Sequence, residues 1–178
     1  MITEQPFENI ELEDFALKPF SQIRYKWLLI TAGTKNSFNS MTACWGGLGH
    51  LWDDHHVCFV FVRPSRYTYE FLEESVNFTI QFFDQKYQEK LRYLGTNSGR
   101  DKNKIDDVGF TQLLTRTDSV YFKEADTVFD CRKIYYQDVD PDKFLDPSIG
   151  QWYEDNYPEE GYHRMYVGSI QDLLVKKA

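Results

Sequence analysis

The chain has 178 residues, of which 42% are hydrophobic and 17% aromatic, and its 28 acidic and 20 basic side chains leave a net charge of −8. The length fits one ordinary domain, residues 1–178, able to bury roughly 70% of its unfolded surface without staples. So many rings exclude a disordered chain, and the acidity argues against DNA, RNA or an anionic membrane as partner, so any bound anion must meet a local concentration of bases.

Cys44, Cys58 and Cys131 are far apart and form no CxxC pair, which suits a reducing cytosol and speaks against a disulfide framework or zinc ribbon. Met1–Asp14 is acidic and has neither a basic nor an apolar stretch, so no signal peptide is predicted. No run approaches the ~20 apolar residues of a membrane span. The expectation is a soluble, cytoplasmic protein.

Residues 1–19 form a polar lead-in. Trp27–Ala32 is aromatic and β-branched and is predicted as a strand, with a turn over Gly33–Asn39. Ser40–Trp45 is a second strand, closed by Gly46-Gly47. Asp53-Asp54-His55-His56 is predicted as a turn, and the apolar run Val57–Val62 as a buried strand. After Arg63-Pro64, Ser65 is placed as N-cap of a helix through Glu74. Asn77–Phe83 alternates polar and apolar residues and is a further strand. Gln85–Leu94 has helical spacing, with Gly95 at the C-cap position. Residues 96–107 are predicted as loop. Phe110–Leu114, Ser119–Phe122 and Val128–Tyr136 are strands, residues 137–161 an acidic excursion, and Tyr162–Val175 the closing strand. Many short strands and few helices make a mostly β fold, a closed or partly closed barrel rather than a doubly wound parallel sheet.

Gly46-Gly47-Leu48-Gly49 lacks GxGxxG spacing, and no GxxxxGK[ST], GxSxG or HExxH occurs, so the common dinucleotide, nucleotide and hydrolase signatures are missing. Asp138, Asp140 and Asp142 open like a calcium loop, but Lys143 and Ile149 stand where it needs Gly and Glu. No metal site is predicted. Three segments carry more. Asn39-Ser40-Met41-Thr42-Ala43-Cys44-Trp45 could lay small polar groups beside a flat heterocycle. Arg63-Pro64-Ser65-Arg66-Tyr67-Thr68 combines two arginines and two hydroxyls at a helix start, which suits a phosphate. Asn97-Ser98-Gly99-Arg100-Asp101, with Lys102 and Lys104, is a second basic loop.

Together, Asn39–Gly49, Val60–Tyr69, Phe78–Phe83, Asn97–Asp101 with Lys104, and His163–Ile170 resemble the flavin reductase-like family of FMN-binding split barrels, and its flavoredoxin-like members in particular. The resemblance implies a split β-barrel that dimerises and holds FMN near the dimer interface. It lays Asn39, Ser40, Met41, Thr42 and Trp45 along the isoalloxazine ring. It places Arg63, Ser65, Arg66, Tyr67 and Thr68, with Ser98, Gly99, Arg100 and Lys104, near the phosphate and ribityl chain, and brings His163 toward the flavin. The implied activity is hydride transfer from NAD(P)H to flavin, and the cofactor then carries the redox chemistry without a catalytic triad. A flavoredoxin-like electron carrier without NAD(P)H activity is the alternative, and a haem-binding barrel using His50, His55, His56 or His163 is a third reading.

Overall fold

The structure is a computed structural model that describes residues 6–177; the first five residues of the predicted lead-in lie outside the described residues. Among the described residues there are ten strands and five α-helices, in chain order: Phe7–Asn9 (β1), Pro19–Ser21 (α1), Leu28–Thr34 (β2), Ser37–Ala43 (β3), Gly46–Leu51 (β4), His55–Val62 (β5), Tyr67–Glu74 (α2), Asn77–Phe82 (β6), Gln88–Thr96 (α3), Lys104–Val108 (α4), Gln112–Leu114 (β7), Val120–Phe122 (β8), Thr127–Asp138 (β9), Pro147–Asn156 (α5) and Arg164–Lys176 (β10). One antiparallel sheet runs β3-β2-β6-β9-β10-β5-β4, with β1 also on β10, and β7-β8 is a separate hairpin. The fold is mostly β, as expected. No helix of the described residues is long and apolar enough to cross a membrane.

Both faces of the central strands are covered. In β2, Leu28, Ile30 and Ala32 enter one core with Val60, Val62, Phe78, Ile80 and Phe129. Leu29 points the other way, into a second core with Leu91, Leu94, Ile105 and Phe110 under α3 and α4. Strand β6 explains why the alternation in its sequence does not mark a solvent face. Phe78, Ile80 and Phe82 pack inward, while Thr79 and Gln81 are fully buried beneath β8. Thr79 Oγ1 donates to Val120 O at 2.7 Å, and Gln81 Oε1 accepts from Phe122 N–H at 2.9 Å. A buried polar group is tolerated when paired in this way.

Seven local expectations need correction. Part of the lead-in is a strand: Phe7 is buried, and Phe7–Asn9 pairs with Leu174–Lys176. The turn after β2 is only Lys35-Asn36, with Gly33 and Thr34 inside the strand. Gly46 and Gly47 open a strand, because β5 offers its free edge to them. The N-cap of α2 is Arg66, not Ser65, which turns its hydroxyl to Glu160. Gly95 lies within α3, whose C-cap is Asn97. The loop over 96–107 gives way to α4 at Lys104, capped by Asn103, and the excursion over 137–161 contains α5, capped by Asp146.

At Gly168 of β10 a Cβ would sit 2.7 Å from Phe78 Cζ and 2.9 Å from Cys131 Cβ. Gly168→Ala is therefore expected to destabilise the fold by roughly 1–3 kcal/mol through overpacking. A urea midpoint that moves down with unchanged slope would show it; an unchanged midpoint would mean that the core gives way there at no cost.

Candidate functional site

The edge strand β3 pairs only with β2, so its outer backbone groups are free of the ladder. Helix α3 packs beside it. Thr42 Oγ1 donates to Leu91 O at 2.6 Å, and a Cβ on Gly95 would come 3.1 Å from Thr42 Cβ. Gly95 is small because the helix approaches the strand here, not because the helix ends.

A cleft of about 430 Å³ opens between these elements and the stretch from α5 into β10. Met41, Thr42, Ala43, Cys44 and Trp45 line one wall; Leu91, Gly95 and Thr96 of α3 line another; Phe61, Arg63, Arg66, Tyr157 and His163 close it. Met41, Arg66, Gly95 and Thr96 also line an alcove of about 120 Å³, completed by Asn39, Ser65, Tyr67, Thr68, Asn97, Ser98, Gly99 and Lys104. The site thus has an aromatic chamber and a basic end.

The alcove is built from buried polar groups. Asn39 Nδ2 donates to Thr68 Oγ1 at 2.7 Å, tying β3 to the first turn of α2. No side chain caps that helix, and of its first-turn amides Tyr69 N–H is held by Arg66 O at 2.9 Å. The amides before it are left for an acceptor from outside. Lys104 is 4% exposed, and its Nζ donates to Leu94 O at 2.8 Å and Asn97 O at 3.0 Å. Burial, then the charge of Arg66, brings its pKa down to about 8. The guanidinium of Arg66 makes no ion pair or hydrogen bond among the described residues, and burial followed by Arg63 lowers its pKa.

In the chamber, Trp45 packs at a tilt against His163 with ring centroids 4.5 Å apart, beside Trp152 and Tyr153 of α5. Arg63, 5% exposed, lies 3.9 Å from the Tyr157 ring centroid and pairs with Glu160 at 2.5 Å. His163 Nδ1 is 3.1 Å from the Tyr153 hydroxyl. Burial, then Arg63 and Arg66, pulls its pKa down to about 4, so the imidazole is neutral near pH 7.

Of the residues singled out from sequence, Asn39, Met41, Thr42, Trp45, Arg63, Ser65, Arg66, Tyr67, Thr68, Ser98, Gly99, Lys104 and His163 line this continuous space. Two do not join it. Ser40 is fully buried deeper along β3, where its hydroxyl lies 2.8 Å from Thr31 Oγ1. Arg100 is held over Tyr67 by Glu70 and Ser65 O and lines a neighbouring groove instead. Leu91, Thr96 and Tyr157, and the Arg63 partner Glu160, were not foreseen as site residues, because they come from helical or acidic stretches without a motif. His50, His55 and His56 sit on β4 and β5, bonded to Asp53 O, Ser169 and Glu13. The described residues contain no cluster of three or more metal-ligating side chains.

The depressed pKa of His163 has a consequence for stability. Unfolding releases the imidazole to its ordinary value of 6.5, so the unfolded chain binds the extra proton first as pH falls. His163 therefore supports the fold fully above about pH 6.5 and loses that contribution progressively toward about pH 4. The melting temperature is expected to drop between about pH 7 and about pH 5 by several degrees more than in His163→Gln. Parallel pH profiles for the two proteins would show that His163 is not the titrating group.

The comparisons agree with this architecture. No curated protein matches the chain. Among solved structures, an FMN-binding domain of a flavin reductases-like enzyme from Shewanella baltica aligns with a TM-score of 0.66 at 17% identity, covering 96% of this chain and 77% of its own. The flavoredoxin of Desulfovibrio vulgaris (Miyazaki F) aligns with a TM-score of 0.64 at 21% identity, covering 85% and 69%. Flavoredoxin from Methanosarcina acetivorans aligns with a TM-score of 0.62 at 21% identity, again covering 85% and 69%. These likenesses establish the split-barrel fold. The model of the flavin reductase like domain matches residues 20–178, and the chain belongs to that family.

Proposed function

We propose that the cleft binds FMN and that the protein is an oxidoreductase passing a hydride from NAD(P)H to the flavin. The observation that carries this reading is the joining of an aromatic-lined cleft to a cationic alcove on a protein of net charge −8. A phosphate in the alcove meets Arg66, Lys104 and the uncapped start of α2, all donors suited to phosphate oxygens. The ribityl chain then follows Met41 and Gly95, and the ring lies along residues 41–45, where the edge of β3 can hydrogen-bond a heterocycle. When bound, the flavin supplies hydride acceptance and donation. The protein's part is to hold and shield it: Thr42 fixes α3 to the strand, and Trp45 and the neutral His163 form an apolar wall. Neutral His163 adds no positive charge beside the ring near pH 7. We further propose a homodimer in which FMN is contacted from both subunits.

Arg66→Ala is expected to weaken FMN about ten- to a hundredfold, since a hydrogen bond to a charged group contributes roughly 1.5–3 kcal/mol. Riboflavin, which lacks the phosphate, is expected to lose far less. Equal losses for the two flavins would move Arg66 from the phosphate to the fold or the ring.

Anaerobic addition of NADH or NADPH alone is expected to bleach the bound flavin, in a particle of about twice the 21.2 kDa chain mass by light scattering. Bound flavin that neither nucleotide reduces would favour the electron-carrier reading, for which the two flavoredoxin alignments speak. A Soret band in place of flavin absorption would favour haem.

A further inference from the structure

The buried Arg63 is not needed for the phosphate alcove, which it does not line, and it opens on the aromatic chamber. Its Nη1 is buried without a hydrogen-bond partner. The Glu160 carboxylate touches it at 2.5 Å through Oε2, the same oxygen that accepts from Ser65, as a one-point ion pair. A guanidinium offers a planar fork of donors that a carboxylate can meet two at a time, and here that fork is left poorly used. Glu160 is also a removable occupant. Its side chain is 45% exposed, its other bond is to the exposed Ser65 hydroxyl at 2.9 Å, and it sits between α5 and β10 next to Gly161, whose φ is +71°. The Tyr157 ring centroid lies 3.9 Å from the guanidinium carbon, His163 meets Tyr157 edge-on, and Trp45 packs at a tilt against His163.

We propose that Arg63 is the floor of a binding site for the carboxylate of a small aromatic acid, and that Glu160 is an internal stand-in which the ligand displaces. An incoming carboxylate takes the Arg63 fork head-on while its ring lies among Tyr157, Trp45 and His163. Glu160 then swings into water, where its charge is solvated. The site rests on the flavin reading only in sharing the cleft, and it would supply a second ligand of defined charge.

The test is titration of the protein as purified, followed by tryptophan fluorescence, with benzoate, benzyl alcohol and inorganic phosphate as probes. Benzoate is expected to bind at least about tenfold more tightly than benzyl alcohol. Glu160→Gln, which removes the competing charge, is expected to tighten benzoate by about five- to tenfold and to leave benzyl alcohol unchanged. Arg63→Lys, which keeps the charge but loses the fork, is expected to weaken benzoate by about tenfold. Should Arg63→Lys fail to fold, Glu160→Gln decides alone. Equal binding of benzoate and benzyl alcohol, or a benzoate affinity indifferent to Glu160→Gln, overturns the proposal. So does phosphate that tightens as much as benzoate, which would make this a general anion site. If Glu160→Gln tightens FMN over riboflavin and leaves benzoate unmoved, Arg63 serves the flavin phosphate; the proposal then falls and the flavin reading stands. Expected benzoate behaviour in a protein that binds no flavin has the opposite meaning.

Discussion

The close approach of α3 to β3 is the constraint on which the cleft depends. It is set by the absence of a side chain at Gly95 against Thr42 and sealed by the Thr42–Leu91 hydrogen bond. A larger residue at Gly95 would push the helix away from the strand. The segment after the helix is positioned by the same contact, and there Gly99 fits against the Asn39 side chain. Asn39 in turn reaches Thr68, so three elements distant in sequence meet at one buried amide. The alcove is the space these contacts leave.

Charge is organised around that space. Arg63, Arg66 and Lys104 are drawn together on an acidic protein, and each lies out of bulk water to a different degree. Burial lowers the pKa of Arg66 and Lys104 because the low-dielectric surroundings disfavour charge, and neighbouring cations add to it. Lys104 is compensated by two carbonyls at the end of α3, and Arg63 by Glu160 and the face of Tyr157. Arg66 has no such compensation, so the strongest unmet demand for an anion lies where the cleft narrows into the alcove. His163 feels the same cations and stays neutral near pH 7, so it adds no further positive charge to a chamber that Arg63 and Arg66 already line.

The strands were legible because their signal is local. Trp27–Ala32, Val57–Val62, Asn77–Phe83 and Tyr162–Val175 announce themselves by β-branched and aromatic runs, and each overlaps a strand. Local rules failed where a partner decides the outcome. Gly46-Gly47 looks like a stop, yet the free edge of β5 recruits it into a strand. Gly95 looks like a helix end, yet its purpose is contact with Thr42. Ser65 looks like an N-cap, yet Glu160, 95 residues further on, takes its hydroxyl.

The sequence by itself determined the mostly β architecture, the acidic balance and the two basic segments, because composition and periodicity act residue by residue. It also marked most of the residues that line the cleft, through short motifs that combine small polar groups with arginines. Only the tertiary structure decided which of those side chains converge. Position along the strand and packing decide it, so Ser40 is buried against Thr31 while Met41 and Thr42, nearer the strand end, line the cleft, and Arg100 is drawn aside by Glu70 while Arg66 stays free. The pairing of Arg63 with Glu160 and Tyr157 belongs to the same class: no spacing encodes it, because it arises where the chain returns from α5 into β10.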